Sequence, residues 1–86
     1  MADKITVTLE DKELEVVADN RDYVAWDITR AKRGWPQMAD APILAMTFLA
    51  WNALYRTGKT ETKLDDFLAK CSEVMTPDEH GEVIPF

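Results

Sequence analysis

The sequence predicts an α+β domain: an N-terminal β-hairpin packed on a small bundle of three helices. Three observations carry this. Apolar residues alternate with polar ones over the first seventeen positions, helical spacing takes over after Asp19, and turn residues divide the helical part into three segments. At 86 residues the chain is long enough for one modest core and no more. A compact domain over residues 1–76 and a C-terminal tail over 77–86 are expected.

Ile5, Val7 and Leu9 alternate with Thr6, Thr8 and Glu10, the period-two pattern of a strand with one buried face, and Leu14 and Val16 repeat it. The connector from Glu10 to Glu13 lacks Asn-Gly or Asp-Gly, so the hairpin, over about 4–17, is expected to close through a loose loop. Two strands alone are marginal, and these must rest on helices.

Asp19 or Asn20 can cap a first helix over 20–33, with Asp22 in its first turn, Lys32 and Arg33 in its last, and Gly34 as its stop. Val24, Ile28 and Ala31 form the expected core stripe. Trp26 projects roughly opposite, among Asp22, Arg30 and Arg33. After the Trp35-Pro36 turn, Asp40-Ala41-Pro42 supplies a capped start with proline in the first turn, and a second helix is expected over 41–57, stopped by Gly58. Its apolar residues surround almost the whole helix, leaving Asn52 and Arg56 as a narrow polar edge, so it must be covered on most sides. Thr62 and Asp65 approximate a capping box for a third helix over 63–75, with Leu64, Phe67, Leu68, Cys71, Val74 and Met75 on one face and Thr76-Pro77 as its end.

Sixteen acidic residues against ten basic ones give a net charge of −6. The acids gather in residues 1–20 and 72–86, and only 21–33 is net basic, which is not the broad positive footprint that nucleic acid requires. The basic segment is better suited to an acidic protein. The longest apolar run, Ala41 to Ala50, is broken by Thr47 and too short to span a bilayer, and a lone cysteine fits a reducing cytosol. One cysteine and one histidine cannot by themselves build a zinc site, and the three glycines form no phosphate-binding loop. Cys71 is expected as a small core residue and His80 as solvated. Asp65-Asp66 and Asp78-Glu79 lack the spacing of a calcium loop and read as solvated faces. No enzyme, metal, cofactor or small-molecule ligand is expected. A binding or assembly module is.

The partner-binding residues expected for such a module are Trp26, Arg30 and Arg33 on the first helix, with Phe48, Trp51 and Tyr55 as a ridge on the second. For each group the sequence leaves a second reading open, in which Arg packs on a core Trp and the ridge fills the interior. Val83 to Phe86 either docks on a neighbouring copy, giving a homo-oligomer, or folds back on its own domain.

The order D-N-R-D-Y-V-A-W-D-I-T-R-A-K-R-G-W-P, then D-A-P and T-F-L-A-W-N-A-L-Y-R-T-G, resembles the small tail assembly chaperones of long-tailed bacteriophages, especially phages of actinobacteria. The matching positions are Ala25-Trp26-Asp27 with Arg30, Trp35-Pro36, Asp40 with Pro42, and Thr47 to Trp51, within Asp19 to Gly58. The resemblance implies a non-catalytic protein of the host cytoplasm that coats the tape-measure protein, helps recruit tail-tube subunits and leaves before the virion is complete. It also implies a short form whose family often has a longer frameshifted partner. The apolar end at Val83 to Phe86 departs from that pattern and keeps open a structural virion protein of the capsid, connector or tail. A host-directed regulatory binder is the third reading.

Overall fold

The computed structural model describes residues 3–77 and 83–85, with side chains for residues 4–75. The chain is α+β, in the order β1 (Asp3–Leu9), β2 (Lys12–Ala18), α1 (Asn20–Arg33), α2 (Pro42–Arg56), α3 (Leu64–Lys70), β3 (Cys71–Pro77) and β4 (Val83–Pro85). All strand pairings are antiparallel, and the strand order is β2-β1-β3-β4.

The hairpin pairs Asp3 with Ala18 through to Leu9 with Lys12. The alternation decides its faces: Ile5, Val7, Leu9, Val16 and Ala18 are buried, while Lys4, Glu13, Glu15 and Val17 face outward. Its loop is tighter than expected. Glu10 and Asp11 both take positive φ, 50° and 65°, which is the type I′ geometry that matches strand twist, reached here without glycine.

Asp19 caps α1 through a reciprocal box: its side chain accepts from the Arg21 amide, and Asp22 accepts from the Asp19 amide at 2.9 Å. Gly34, at φ 69°, closes the other end, where the Trp35 amide reaches back to the Arg30 carbonyl at 3.0 Å. The buried face is the reverse of the expected one. Val24 and Ile28 are about half exposed, whereas Asp22 and Trp26 are buried. Trp26 packs there against the rings of Trp35 and Phe48, and Asp22 meets hydrogen-bond donors from Asn52 and Arg56.

Helix α2 starts with Pro42 in its first turn, but its N-cap is Ala41 and no side chain caps it, so Asp40 does not take the capping role. It lies across β1, β2 and β3 and between α1 and α3. Ala45, Phe48, Leu49, Ala50, Ala53 and Leu54 are buried, as the nearly all-round apolar pattern requires. Thr47, also buried, donates its hydroxyl to the Ile43 carbonyl at 2.7 Å.

The third helix is half the expected length. Leu64 and Phe67 are buried as its stripe predicts, but the chain leaves the helix at Cys71 and runs as β3 against β1, with Val74 opposite Val7 and Met75 opposite Thr6. A register shift after Thr8 places Leu9 opposite Cys71. Spacing alone pointed to the helix, because Val74 lies at helical distance from Phe67 and Cys71, and Ser72-Glu73 followed by Val74-Met75 does not alternate. The unpaired edge of β1, with its row of free amides and carbonyls, favours the strand. Thr62 makes no cap either: the N-cap is Lys63, with no side-chain hydrogen bond. The expected boundary at 76/77 falls inside β3, and Val83–Pro85 adds a short strand beyond it. His80, Asp78-Glu79 and Phe86 lie outside the described residues.

Candidate functional site

Five aromatic rings form a continuous ladder across α1, the following turn and α2. Trp26 meets Trp35 at 5.8 Å between centroids and Phe48 at 5.7 Å; Phe48 meets Trp51 at 5.6 Å, and Trp51 meets Tyr55 at 5.3 Å. The tilted geometries are those that ring quadrupoles favour. The ladder runs from interior to surface: Trp26 and Phe48 are each 1% exposed, Trp51 is half-buried, and Tyr55 is 51% exposed.

This ordering sorts the residues expected to meet a partner. Trp26, read from the helical projection as lying off the core face, is inside the core, and so is Phe48. Arg30 is half-buried and donates to the Trp35 carbonyl at 3.4 Å. Arg33 sits over the Trp35 ring, 5.1 Å from its centroid, and pairs with Asp65 at 2.7 Å. Only Trp51 and Tyr55 bring aromatic surface to the exterior from α2. The Trp51 indole N–H donates to the Thr62 carbonyl at 2.8 Å, which fixes its ring beside the start of α3.

At the exposed end of the ladder lies a groove of about 420 Å³, within the size range of ligand clefts. Trp51, Tyr55 and Leu64 supply its apolar lining; Lys32 and Lys63 supply two cations, Arg33 a third that is already paired with Asp65, and no carboxylate of the described residues lines it directly. Among the described residues neither Lys32 nor Lys63 has an ion-pair partner. A larger hollow of about 560 Å³ between the hairpin turn and the α2–α3 loop mixes Glu10 and Glu61 with Lys12 and Lys59, so it has no comparable bias of charge.

The start of α1 packs a charge cluster against α2 that the sequence reading missed. Asp22 is fully buried and accepts from Asn52 at 2.7 Å and from Arg56 at 2.8 and 3.2 Å, besides the Asp19 amide. Burial pushes its carboxyl up, but the hydrogen bonds from Arg56, the Asp19 amide and Asn52 outweigh that and leave it below the ordinary carboxylate range. Asp19 beside it is held down to about 2, first by the Arg21 guanidinium. The available signal was the polar edge of α2: Asn52 and Arg56, one turn apart on an apolar helix, required an acceptor on whatever packs there.

Among the described residues the remaining reactive groups give no constellation. Cys71 is half-buried at the start of β3, not on a helix stripe, and burial pushes its thiol up, away from the thiolate. Asp65 is an exposed partner of Arg33. Among the described residues no group of three His, Cys, Asp or Glu side chains could hold a metal ion, and no helix is long and apolar enough to cross a membrane. Comparison with protein-family models, with curated proteins and with solved structures finds no match to this chain.

Proposed function

We propose that this protein is a non-catalytic tail assembly chaperone of a long-tailed bacteriophage. It binds apolar helical segments of the tape-measure protein in the host cytoplasm and aids recruitment of tail-tube subunits. The observation that carries the reading is the outer end of the aromatic ladder: Trp51 and Tyr55 present ring surface in a groove while their inner neighbours are locked in the core. A rigid aromatic anchor loses little conformational freedom on binding, which suits a surface that must capture many similar segments. Many weak copies along one long helix would gain by avidity and still release singly. The resemblance over Asp19 to Gly58 supports the same reading, and the acidic remainder of the surface would keep a loaded complex soluble.

Co-expression with the tape-measure protein tests it. The wild-type chain should raise the soluble fraction of the tape-measure protein, and Tyr55→Ala should lower that gain; a soluble fraction that ignores the chain altogether removes the reading. A second reading, a structural component of the virion, is favoured by β4, since the apolar Val83–Pro85 segment joins the sheet at β3. Mass spectrometry of purified particles separates the two: a stoichiometric component at 9.8 kDa would favour the virion protein, and its absence the chaperone.

A further inference from the structure

Lys63 occupies a position that the fold alone does not favour. It is the N-cap of α3, where Ser, Thr, Asp or Asn would satisfy the free amides, and its side chain makes no capping bond. A cation there also opposes the positive end of the helix dipole, which Asp65 and Asp66 in the first turn complement. Lys32, across the groove, lies in the last turn of α1, where a cation does suit the dipole, so it has a structural reason that Lys63 lacks. A residue placed against local stability, unpaired and beside exposed aromatic surface, is the pattern expected of a binding position.

We propose that the Trp51–Tyr55 groove is selective for acidic amphipathic segments: an apolar anchor seats on Trp51, Tyr55 and Leu64 while flanking carboxylates meet the unpaired Lys63 and Lys32. This rests on the reading of the chain as a binding protein and names the chemistry of its partner. Charge complementarity fixes the choice. Lys32 and Lys63 line this groove without an ion-pair partner among the described residues, in a chain whose net charge is −6, so the groove is a favourable place for an acidic segment to meet it. A nucleic acid strand needs a broader positive track than two lysines and a paired arginine provide in a chain of net charge −6.

The test is fluorescence anisotropy with two labelled amphipathic peptides that share the same leucine and phenylalanine anchors. One carries glutamates beside the anchors and the other lysines. The glutamate peptide should bind at least about tenfold more tightly than its lysine twin, and added salt should narrow the gap. Lys63→Asp should weaken the glutamate peptide about fivefold, the upper range for one exposed charge pair, while the thermal midpoint stays level or rises. A purely structural lysine would not separate these two readouts. Equal binding of the twins, no binding of the glutamate peptide, or unchanged affinity in Lys63→Asp overturns the proposal, as does a single-stranded oligonucleotide that binds the groove more tightly than the glutamate peptide. If the peptides discriminate but the tape-measure protein gains no solubility, the groove chemistry stands and the chaperone reading falls. If solubility is gained without discrimination between the peptides, the reverse holds.

Discussion

Asp22 and Lys32 stand on the same helix, about three turns apart, and illustrate two uses of a charge. Asp22 is fully buried, with hydrogen bonds from Arg56, Asn52 and the Asp19 amide. Lys32 is exposed, with no carboxylate partner among the described residues, at the mouth of a groove it shares with Arg33 and Lys63. The start of α1 is therefore closed and internally satisfied against α2; its last turn opens on a groove where Lys32 and Lys63 have no ion-pair partner among the described residues. The aromatic ladder crosses from the first kind of environment to the second, which is why its rings do different jobs although their spacing is uniform.

The contrast can be broken most strongly at the closed end. Trp26→Ala removes a fully buried ring that touches Trp35 and Phe48, and should cost about 3–5 kcal/mol in urea unfolding. That is a large share of the roughly 5–15 kcal/mol that stabilises a domain. A folded Trp26→Ala protein of near wild-type stability would move Trp26 back among the surface residues. Arg56→Ala comes next. It leaves Asp22 buried with its amide contacts but without its cation, and about 3 kcal/mol of destabilisation is expected in the same assay.

Acid should act through the same cluster. The folded-state carboxyls of Asp22 and Asp19 lie below their unfolded values, so their contribution is complete above about pH 4 and is lost as pH falls through the folded values, for Asp19 toward about 2. In Arg56→Ala the slope of stability against pH in that window should flatten, because Asp22 loses the guanidinium that holds its carboxyl down. An unchanged slope would show that the cluster is not the group that titrates. The smallest effect on the fold is expected at the open end: Tyr55→Ala should change stability by less than about 1 kcal/mol while weakening binding of the acidic peptide.

Legibility from sequence follows the same division. The hairpin, the capped start of α1 and the span of α2 were readable because each rests on local chemistry: period-two alternation, a capping residue at Asp19 or Asn20, Pro42 and Gly58. The phase of α1 was not. The Val24, Ile28 and Ala31 stripe obeys helical spacing, but what faces the core is set by the partners that α2 offers, a ring slot for Trp26 and two donors for Asp22. β3 was hidden for a related reason, since Cys71 to Met75 lacks the strict alternation of Ile5 to Leu9 and only the open edge of β1, a tertiary feature, selects the strand. Of the expected partner-binding residues, Trp51, Tyr55 and Arg33 line the groove, whereas Lys32 and Lys63 were overlooked because nothing local distinguishes them from ordinary solvated lysines. Their significance comes from being brought together across three helices.

The three indole N–H groups give one measurement that reads both ends at once. In a ¹H–¹⁵N correlation spectrum, Trp26, Trp35 and Trp51 each contribute a side-chain resonance, and Trp51 reports the groove directly through its bond to Thr62. On titration with the glutamate peptide, the Trp51 indole and the amides of Lys63 and Tyr55 should shift while the Trp26 indole stays in place. Shifts centred on Trp26, or on the outward Val24 and Ile28 face of α1 with Trp51 unmoved, would contradict the assignment of the open end of the ladder as the binding surface.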